Sequence, residues 1–88
     1  MSDQRAHEIW KQICHVLDEK LQYGFLEQAK SVVDVKLEGD EFTLFVSGDD
    51  ALRFFSAEVN QQRLLIVSRP IASIQRFHVQ KNESSPFI

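Results

Sequence analysis

The chain has few of the residues that cross-link or interrupt a small fold: its 88 residues include one cysteine, two prolines and three glycines. The single thiol, Cys14, excludes an intrachain disulfide and provides no metal-ligand spacing. No apolar run approaches the roughly 20 residues of a membrane-spanning helix, and no charged-then-apolar signal segment opens the sequence. The composition, 43% hydrophobic and 26% charged, is typical of one globular domain. These features predict a reduced, cytoplasmic protein with no membrane contact and an ordinary hydrophobic core.

Motifs that carry catalysis or hold a cofactor are also missing. The spacings HExxH, CxxC and the P-loop do not occur. Cys14 and His15 are neighbours on a predicted helix, so their side chains diverge by about 100° and cannot pair as nucleophile and base. His7 and His15 lie more than two helical turns apart, too far to bind one metal ion. We therefore expect no enzymatic activity, no cofactor and no metal site.

Acidic side chains are absent from residues 59–82, although the whole chain carries a net charge of −3. Residues 1–58 contain twelve acidic and six basic side chains, whereas residues 59–88 contain Glu83 against four basic ones. One interpretation is a solvated end of a small domain. The other is a surface that binds single-stranded nucleic acid weakly and in a salt-sensitive way, with Phe77 available for base stacking. The predicted nucleic-acid-binding residues are Arg63, Arg69, Arg76 and Lys81.

Alternating side chains on both sides of Gly39 and Asp40 predict a β-hairpin over residues 33–46. A slip of one residue would turn every apolar partner outward, so the alternation defines the register. The apolar pairs predicted are Leu37 with Phe42, Val35 with Leu44 and Val33 with Val46; the polar-face pairs are Asp34 with Phe45, Lys36 with Thr43 and Glu38 with Glu41. Because an isolated hairpin is marginal in water, helices must cover its apolar face.

Two helices are predicted ahead of the hairpin. The first covers residues 4–20, because apolar side chains recur there at three- and four-residue spacing, and Ser2 or Asp3 is its expected N-cap. Its predicted buried stripe consists of Ala6, Ile9, Trp10, Ile13, Val16, Leu17 and Leu21. The pattern is interrupted at Gly24, and a second, short helix is predicted over residues 25–30.

After the hairpin, residues 47–50 are typical of a helix start, with Asp49 as the expected N-cap. The helix is predicted to continue to residue 68, where Pro70 prevents its extension. Residues 64–67 are all apolar, so a strand after a helix that ends near Asn60 is the alternative. Element length favours the continuous helix.

Residues 74–79 alternate and predict a third strand, with Ile74, Arg76 and His78 on one face and Phe77 and Val79 on the other. The order α-α-β-β-α-β predicts a single KH-like α+β domain over residues 1–80, in which three helices cover a three-stranded sheet, followed by a polar tail over residues 81–88. The glycines never form the GxxG spacing with which KH domains clamp RNA, so KH-type RNA binding is not expected. The predicted core consists of Ile9, Ile13, Leu17, Val35, Leu37, Phe42, Leu44, Leu52, Phe55, Val59 and Ile66.

Three aromatic residues are predicted to bind a partner protein. Trp10 belongs to the apolar stripe of the first helix, so a place in or at the edge of the core is the alternative, but tryptophan is also enriched at protein interfaces. Phe54 and Phe55 are adjacent, so only one of them can face the core fully. We expect Phe54 and Phe45, from the polar face of the hairpin, to form exposed aromatic surface that suits a partner better than solvent.

Four segments resemble the C-terminal region of bacterial DNA polymerase III gamma/tau subunits: residues 9–11, 25–29, 37–44 and 60–65. The shared features are an early tryptophan in the first helix, a Leu-x-x-Ala second helix, a hairpin, and an asparagine before a leucine-rich helix end. The same order is similar to the N-terminal domain of the replication initiator DnaA. There, too, a tryptophan opens the first helix, and the final strand resembles residues 75–79.

The resemblance implies a non-catalytic protein-interaction module of bacterial chromosome replication, with a polymerase or helicase subunit as partner and weak DNA contact. An initiator-type domain that forms a weak homodimer through its first helix is the alternative. Two departures favour the gamma/tau likeness: Ala29 stands where initiator domains carry a second tryptophan, and Ser47 and Gly48 replace their Pro-Asn pair. The gamma/tau likeness also implies a longer parent chain with a P-loop ATPase ahead of this domain.

Overall fold

The computed structural model describes residues 4–82, which form four helices and three strands. In chain order these are α1 Gln4–Glu19, α2 Tyr23–Ala29, β1 Val32–Glu38, β2 Glu41–Val46, α3 Asp49–Ser56, α4 Glu58–Ser68 and β3 Arg76–Lys81. The predicted class, a small α+β domain with a three-stranded sheet, is confirmed. The expected N-cap at Ser2 or Asp3 and most of the predicted polar tail lie outside the described residues.

The sheet has the strand order β1-β2-β3, with β1 antiparallel and β3 parallel to β2. The hairpin register predicted from Asp34 to Glu38 is confirmed, and Gly39 adopts φ 62° in the turn. The pairing predicted for Val33 is wrong, because the register shifts and Val32 lies opposite Val46. A bulge of this kind adds one residue to a strand, and it leaves Val33 49% exposed.

The third strand starts two residues later than predicted, at Arg76. Ahead of it, Ile74 is buried and Gln75 N–H donates to the Asp40 carbonyl at 2.8 Å, which anchors the chain beside the hairpin turn. The predicted alternation is confirmed within the strand, since Phe77 is buried and Arg76 exposed. The face predicted for Ile74 is wrong, because this residue precedes the strand and is buried while Arg76 is exposed. Helices α3 and α4 supply the long crossover that a parallel β2–β3 pair requires.

The core lies between the helices and one face of the sheet. Helix α1 contributes four buried residues at the predicted spacing, namely Ala6, Ile9, Ile13 and Leu17. Of the other predicted core residues, Val35, Phe42, Leu44 and Phe55 are buried, while Leu37 and Leu52 are partly buried against them. Leu21 was assigned to the buried stripe wrongly: it follows the end of α1, adopts φ 59° and is exposed.

A continuous third helix over residues 50–68 is wrong, and so is the alternative strand at 64–67. The helix is interrupted at Ala57, which has an extended ψ of 134°. Two side-chain amides join the halves: Asn60 Nδ2 donates to the Phe54 carbonyl at 2.8 Å, and Gln61 Nε2 donates to the Phe55 carbonyl at 3.1 Å. The Phe54 carbonyl also accepts from the Ala57 N–H at 3.3 Å, so the amides of Asn60 and Gln61 complete the bonding of the carbonyls at the end of α3.

The interruption changes which side of α4 faces the core. Leu64 is fully buried and Val67 is 4% exposed, whereas Val59 is 67% and Ile66 57% exposed. The prediction that Val59 and Ile66 belong to the core is therefore wrong. It assumed one uninterrupted 3.6-residue period from α3, and the extended residue at position 57 breaks that period.

Candidate docking surface on helix α4

The outer side of α4 carries exposed apolar residues between two basic ones. We call this surface the α4 outer face and define it by five exposed residues: Val59, Gln62, Arg63, Ile66 and Arg69. Helix α4 contacts α1, α3 and β3 on its other side, where Leu64 and Val67 are buried. The same short helix therefore presents apolar side chains both to the core and to solvent.

The geometry of the α4 outer face follows from its spacing. Val59 and Ile66 are seven residues apart, so they lie about 20° apart around the helix and about 10 Å apart along it. Arg63 lies to one side of this apolar pair and Arg69 to the other, each within about 80°. Arg69 is the C-cap residue of α4 and keeps helical dihedral angles, so it continues the same surface.

The two arginines of the α4 outer face are not neutralised by neighbouring side chains. Within residues 4–82, neither Arg63 nor Arg69 forms an ion pair. By contrast, Arg53 binds Asp50 at 3.0 Å on the exposed side of α3. The α4 outer face is thus a local basic and apolar surface on a chain whose net charge is −3.

A cleft of about 310 Å³ lies next to the C-terminal end of this surface. It is lined by Leu65, Arg69, Ala72, Ser73, Ile74 and Gln75, so Arg69 belongs both to the cleft and to the α4 outer face. The loop that closes the cleft begins with two N–H groups, of Ile71 and Ala72, bonded to the Ser68 carbonyl at 2.9 Å. The cleft therefore extends the surface beyond the helix.

The predicted nucleic-acid-binding residues occupy three separate places. Arg63 and Arg69 lie on α4, while Arg76 lies opposite Glu41 on the side of the sheet that faces away from the helices. Lys81, at the far end of β3, is about 16 Å from Arg76 and binds Asp49 at 2.9 Å. Phe77, expected to stack on bases, is 3% exposed in the core.

Asp49 is not the N-cap of α3, as was predicted, but forms an ion pair with Lys81. The N-cap is Gly48, which has no side chain to cap the helix, and Asp49 is the first helical residue. Its carboxylate accepts a hydrogen bond from Lys81 Nζ, and this bond together with the charge of Lys81 lowers the pKa of Asp49. The aspartate thus connects α3 to the last strand.

The three aromatic residues predicted to bind a partner do not form one surface. The Trp10 ring lies 6.4 Å from Phe42 and 6.3 Å from Phe55, between centroids, at the edge of the core. The Phe54 ring lies 5.0 Å from Phe25. Phe45 projects from the opposite side of the sheet, so the predicted joint surface of Phe45 and Phe54 is wrong. The sequence pattern correctly assigned Phe45 to a strand and Phe54 to a helix, but it did not show that the two rings lie on different sides of the molecule.

The side of the sheet that carries Phe45 is polar and internally paired. His78 Nε2 lies 3.0 Å from Glu41 Oε1, and Lys36 Nζ lies 3.2 Å from Glu38 Oε2. Arg76 lies directly opposite Glu41 in the register, which leaves this side close to charge balance. Phe45, the large apolar residue that β2 places on this side, is partly buried. A partner would gain little apolar contact there.

Cys14 lies on α1 and lines a shallow depression of about 490 Å³ together with Glu8, Lys11, Gln12, His15 and Asp18. Burial raises the pKa of the Cys14 thiol to about 11, so the sulfur is protonated at neutral pH.

Nothing in residues 4–82 groups three or more side chains suited to metal ligation. Across the same residues, every helix is too short or too polar to cross a membrane.

Sequence reasoning missed the α4 outer face, although a signal was present. Four consecutive apolar residues, 64–67, cannot all face one side of a helix, because successive side chains are about 100° apart. At least one of them had to face solvent once the segment was helical.

A scan against protein-family models, a search of curated proteins and a search of solved structures each found no match.

Proposed function

We propose that this domain is a non-catalytic protein-docking module of the bacterial DNA replication machinery, acting in the cytoplasm. A polymerase or helicase subunit docks on the α4 outer face. The observation that carries the proposal is the exposure of Val59 and Ile66, at 67% and 57%, between two unpaired arginines. The replication setting rests on the sequence resemblance to gamma/tau C-terminal regions, which directs the choice of partners to test.

The energetics of the exposed pair support docking. Burying a valine or isoleucine side chain fully contributes about 1.5–3 kcal/mol, and these two have more than half of their surface still in water. A partner that covers both therefore gains apolar contact without any rearrangement of the domain. Tryptophan, tyrosine and arginine are the residues most often responsible for binding energy at interfaces, and two arginines border this site.

Direct nucleic-acid binding is less well supported. The basic residues expected to act together are divided between α4 and the two ends of β3. The stacking residue Phe77 is in the core, and two aliphatic side chains stand between Arg63 and Arg69. Single-strand binders instead combine a continuous positive groove with exposed aromatic rings.

Site-specific photo-crosslinking tests the proposal. A benzophenone amino acid is placed at position 66 or, as a control, at position 33, where the valine is also about half exposed but lies on β1. Each protein is irradiated with purified polymerase III subunits and with the replicative helicase. We expect a crosslink to one subunit from position 66 and none from position 33. Equal crosslinking from both positions, or none from position 66, contradicts the proposal.

A further inference from the structure

We infer that the partner segment bound by the α4 outer face is an amphipathic helix whose apolar stripe is bordered by aspartate or glutamate. This inference rests on the proposed function, which names the surface but not the chemistry of the segment that covers it. It follows from the spacing of the apolar pair, the position of the arginines and the cleft beyond Arg69.

The spacing favours a helix as the partner. Val59 and Ile66 repeat after two turns on the exposed side of α4, and a second helix laid alongside meets such a stripe with residues at three- and four-residue spacing. An extended strand has no open sheet edge to join on α4. The apolar pair therefore fits side-by-side helix packing.

The positive charges of the two arginines favour a partner helix with negative charges. Arg63 and Arg69 lie on opposite sides of the apolar stripe, so carboxylates on both borders of a partner helix each meet a guanidinium. Guanidinium and carboxylate groups form bidentate pairs, which add geometric specificity to the attraction. A helix bordered by lysines would place like charges against both arginines and be rejected on both sides.

The cleft gives the partner helix a place to anchor. The exposed lining of the cleft is mainly polar, and Arg69 stands between the cleft and the stripe. At about 310 Å³ the cleft is large enough for one side chain of the partner. A glutamate of the partner seated here would meet Arg69 and fix the position of the helix along α4.

The test uses isotope-labelled protein and three probes: a synthetic peptide of about 20 residues with a leucine stripe bordered by glutamates, the same peptide with lysines instead, and a single-stranded oligothymidine. We expect the acidic peptide to shift the amide signals of residues 58–75 and to bind about tenfold more tightly than the basic peptide. Raising the salt concentration from about 50 to 300 mM should reduce this preference, because exposed charges are screened.

A pair of double variants completes the test. Arg63→Glu with Arg69→Glu should reverse the preference, so that the basic peptide binds more tightly. Arg5→Glu with Lys11→Glu makes the same change in net charge on the exposed side of α1 and should leave the preference intact. An unchanged preference in the first variant overturns the inference, as do signals that shift elsewhere.

The outcomes also separate this inference from the proposed function. Crosslinking from position 66 to a replication subunit without preference for the acidic peptide would keep the docking surface and reject the acidic helix. Preference for the acidic peptide without any such crosslink would keep the acidic helix and reject the replication partner. Oligothymidine binding at residues 58–75, lost in the Arg63→Glu/Arg69→Glu variant, would replace both with a nucleic-acid surface.

Discussion

The Asn60 side-chain amide donates to the Phe54 carbonyl at 2.8 Å across the break between α3 and α4. The two residues are six positions apart, and the bond holds the first turn of α4 against the last turn of α3. Together with the packing of α4 against α1, α3 and β3, it sets which residues of α4 face the core. The exposure of Val59 and Ile66 is a consequence of this local arrangement.

Replacing Asn60 with alanine should destabilise the domain by about 1 kcal/mol, because the part-buried Phe54 carbonyl loses the shorter of its two hydrogen bonds. In a domain of this size that corresponds to a fall in Tm of about 4–8 °C. Circular dichroism melting measures the change. The exposed neighbour Gln62 makes no such bond, so Gln62→Ala is the control and should melt as the wild type does. Equal melting of the two variants would show that the Asn60 bond does not stabilise the break.

The orientation of α4 can be tested with two alanine substitutions. Leu64→Ala should cost about 2–5 kcal/mol, since it leaves a cavity in the core. Ile66→Ala should change the free energy of unfolding by no more than about 0.5 kcal/mol, since the side chain is mostly in solvent. Urea denaturation measures both. A larger loss in Ile66→Ala than in Leu64→Ala would restore the continuous helix and remove the α4 outer face.

The hairpin register predicts the effect of shortening Leu44, which is 1% exposed opposite Val35. Leu44→Ala should reduce the free energy of unfolding by about 2–5 kcal/mol. The matched change on β1, Val33→Ala, should be nearly neutral because the bulge turns Val33 outward. Thermal stability that is unaffected by Leu44→Ala would mean that the register is wrong.

Cys14 should react slowly with iodoacetamide at neutral pH, because its pKa of about 11 leaves almost no thiolate. The rate should increase as the pH rises toward that value. Denaturant should raise the rate at pH 8 by exposing a thiol with an ordinary pKa near 8.5. Mass spectrometry of the alkylated protein provides the measurement. Equal alkylation rates in the folded and the denatured protein would show that burial does not protect the Cys14 sulfur.

The carboxyl group of Asp49 should titrate below its ordinary value of 3.8, because Lys81 stabilises its charged form. Since the folded-state pKa is the lower one, the pair's contribution to stability is present above about pH 4 and is lost as the pH falls through the folded-state pKa. Nuclear magnetic resonance of the carboxyl carbon follows the titration. Lys81→Met should raise the pKa of Asp49, and an unchanged value would exclude the ion pair in solution.

Much of the fold was predictable because its signals are local. The alternation around Gly39 determined the hairpin register from Asp34 to Glu38, since a slip would expose every apolar partner. The three- and four-residue spacing from Ala6 to Leu17 determined the buried side of α1. The shift at Val33 was not predictable, because a bulge changes the register without changing the alternation of residue types.

The candidate site depended on tertiary structure. Periodicity alone placed Val59 and Ile66 in the core, and it would have been right for an unbroken helix. Side-chain hydrogen bonds from Asn60 and Gln61 to the preceding helix hold α4 in a different rotation about its axis, and Leu64 and Val67 are buried instead. Sequence by itself determined which residues are apolar and favoured helical structure on both sides of the break at Ala57. Only packing against α1, α3 and β3 decided which apolar residues remained in solvent, because one helix can bury only one side.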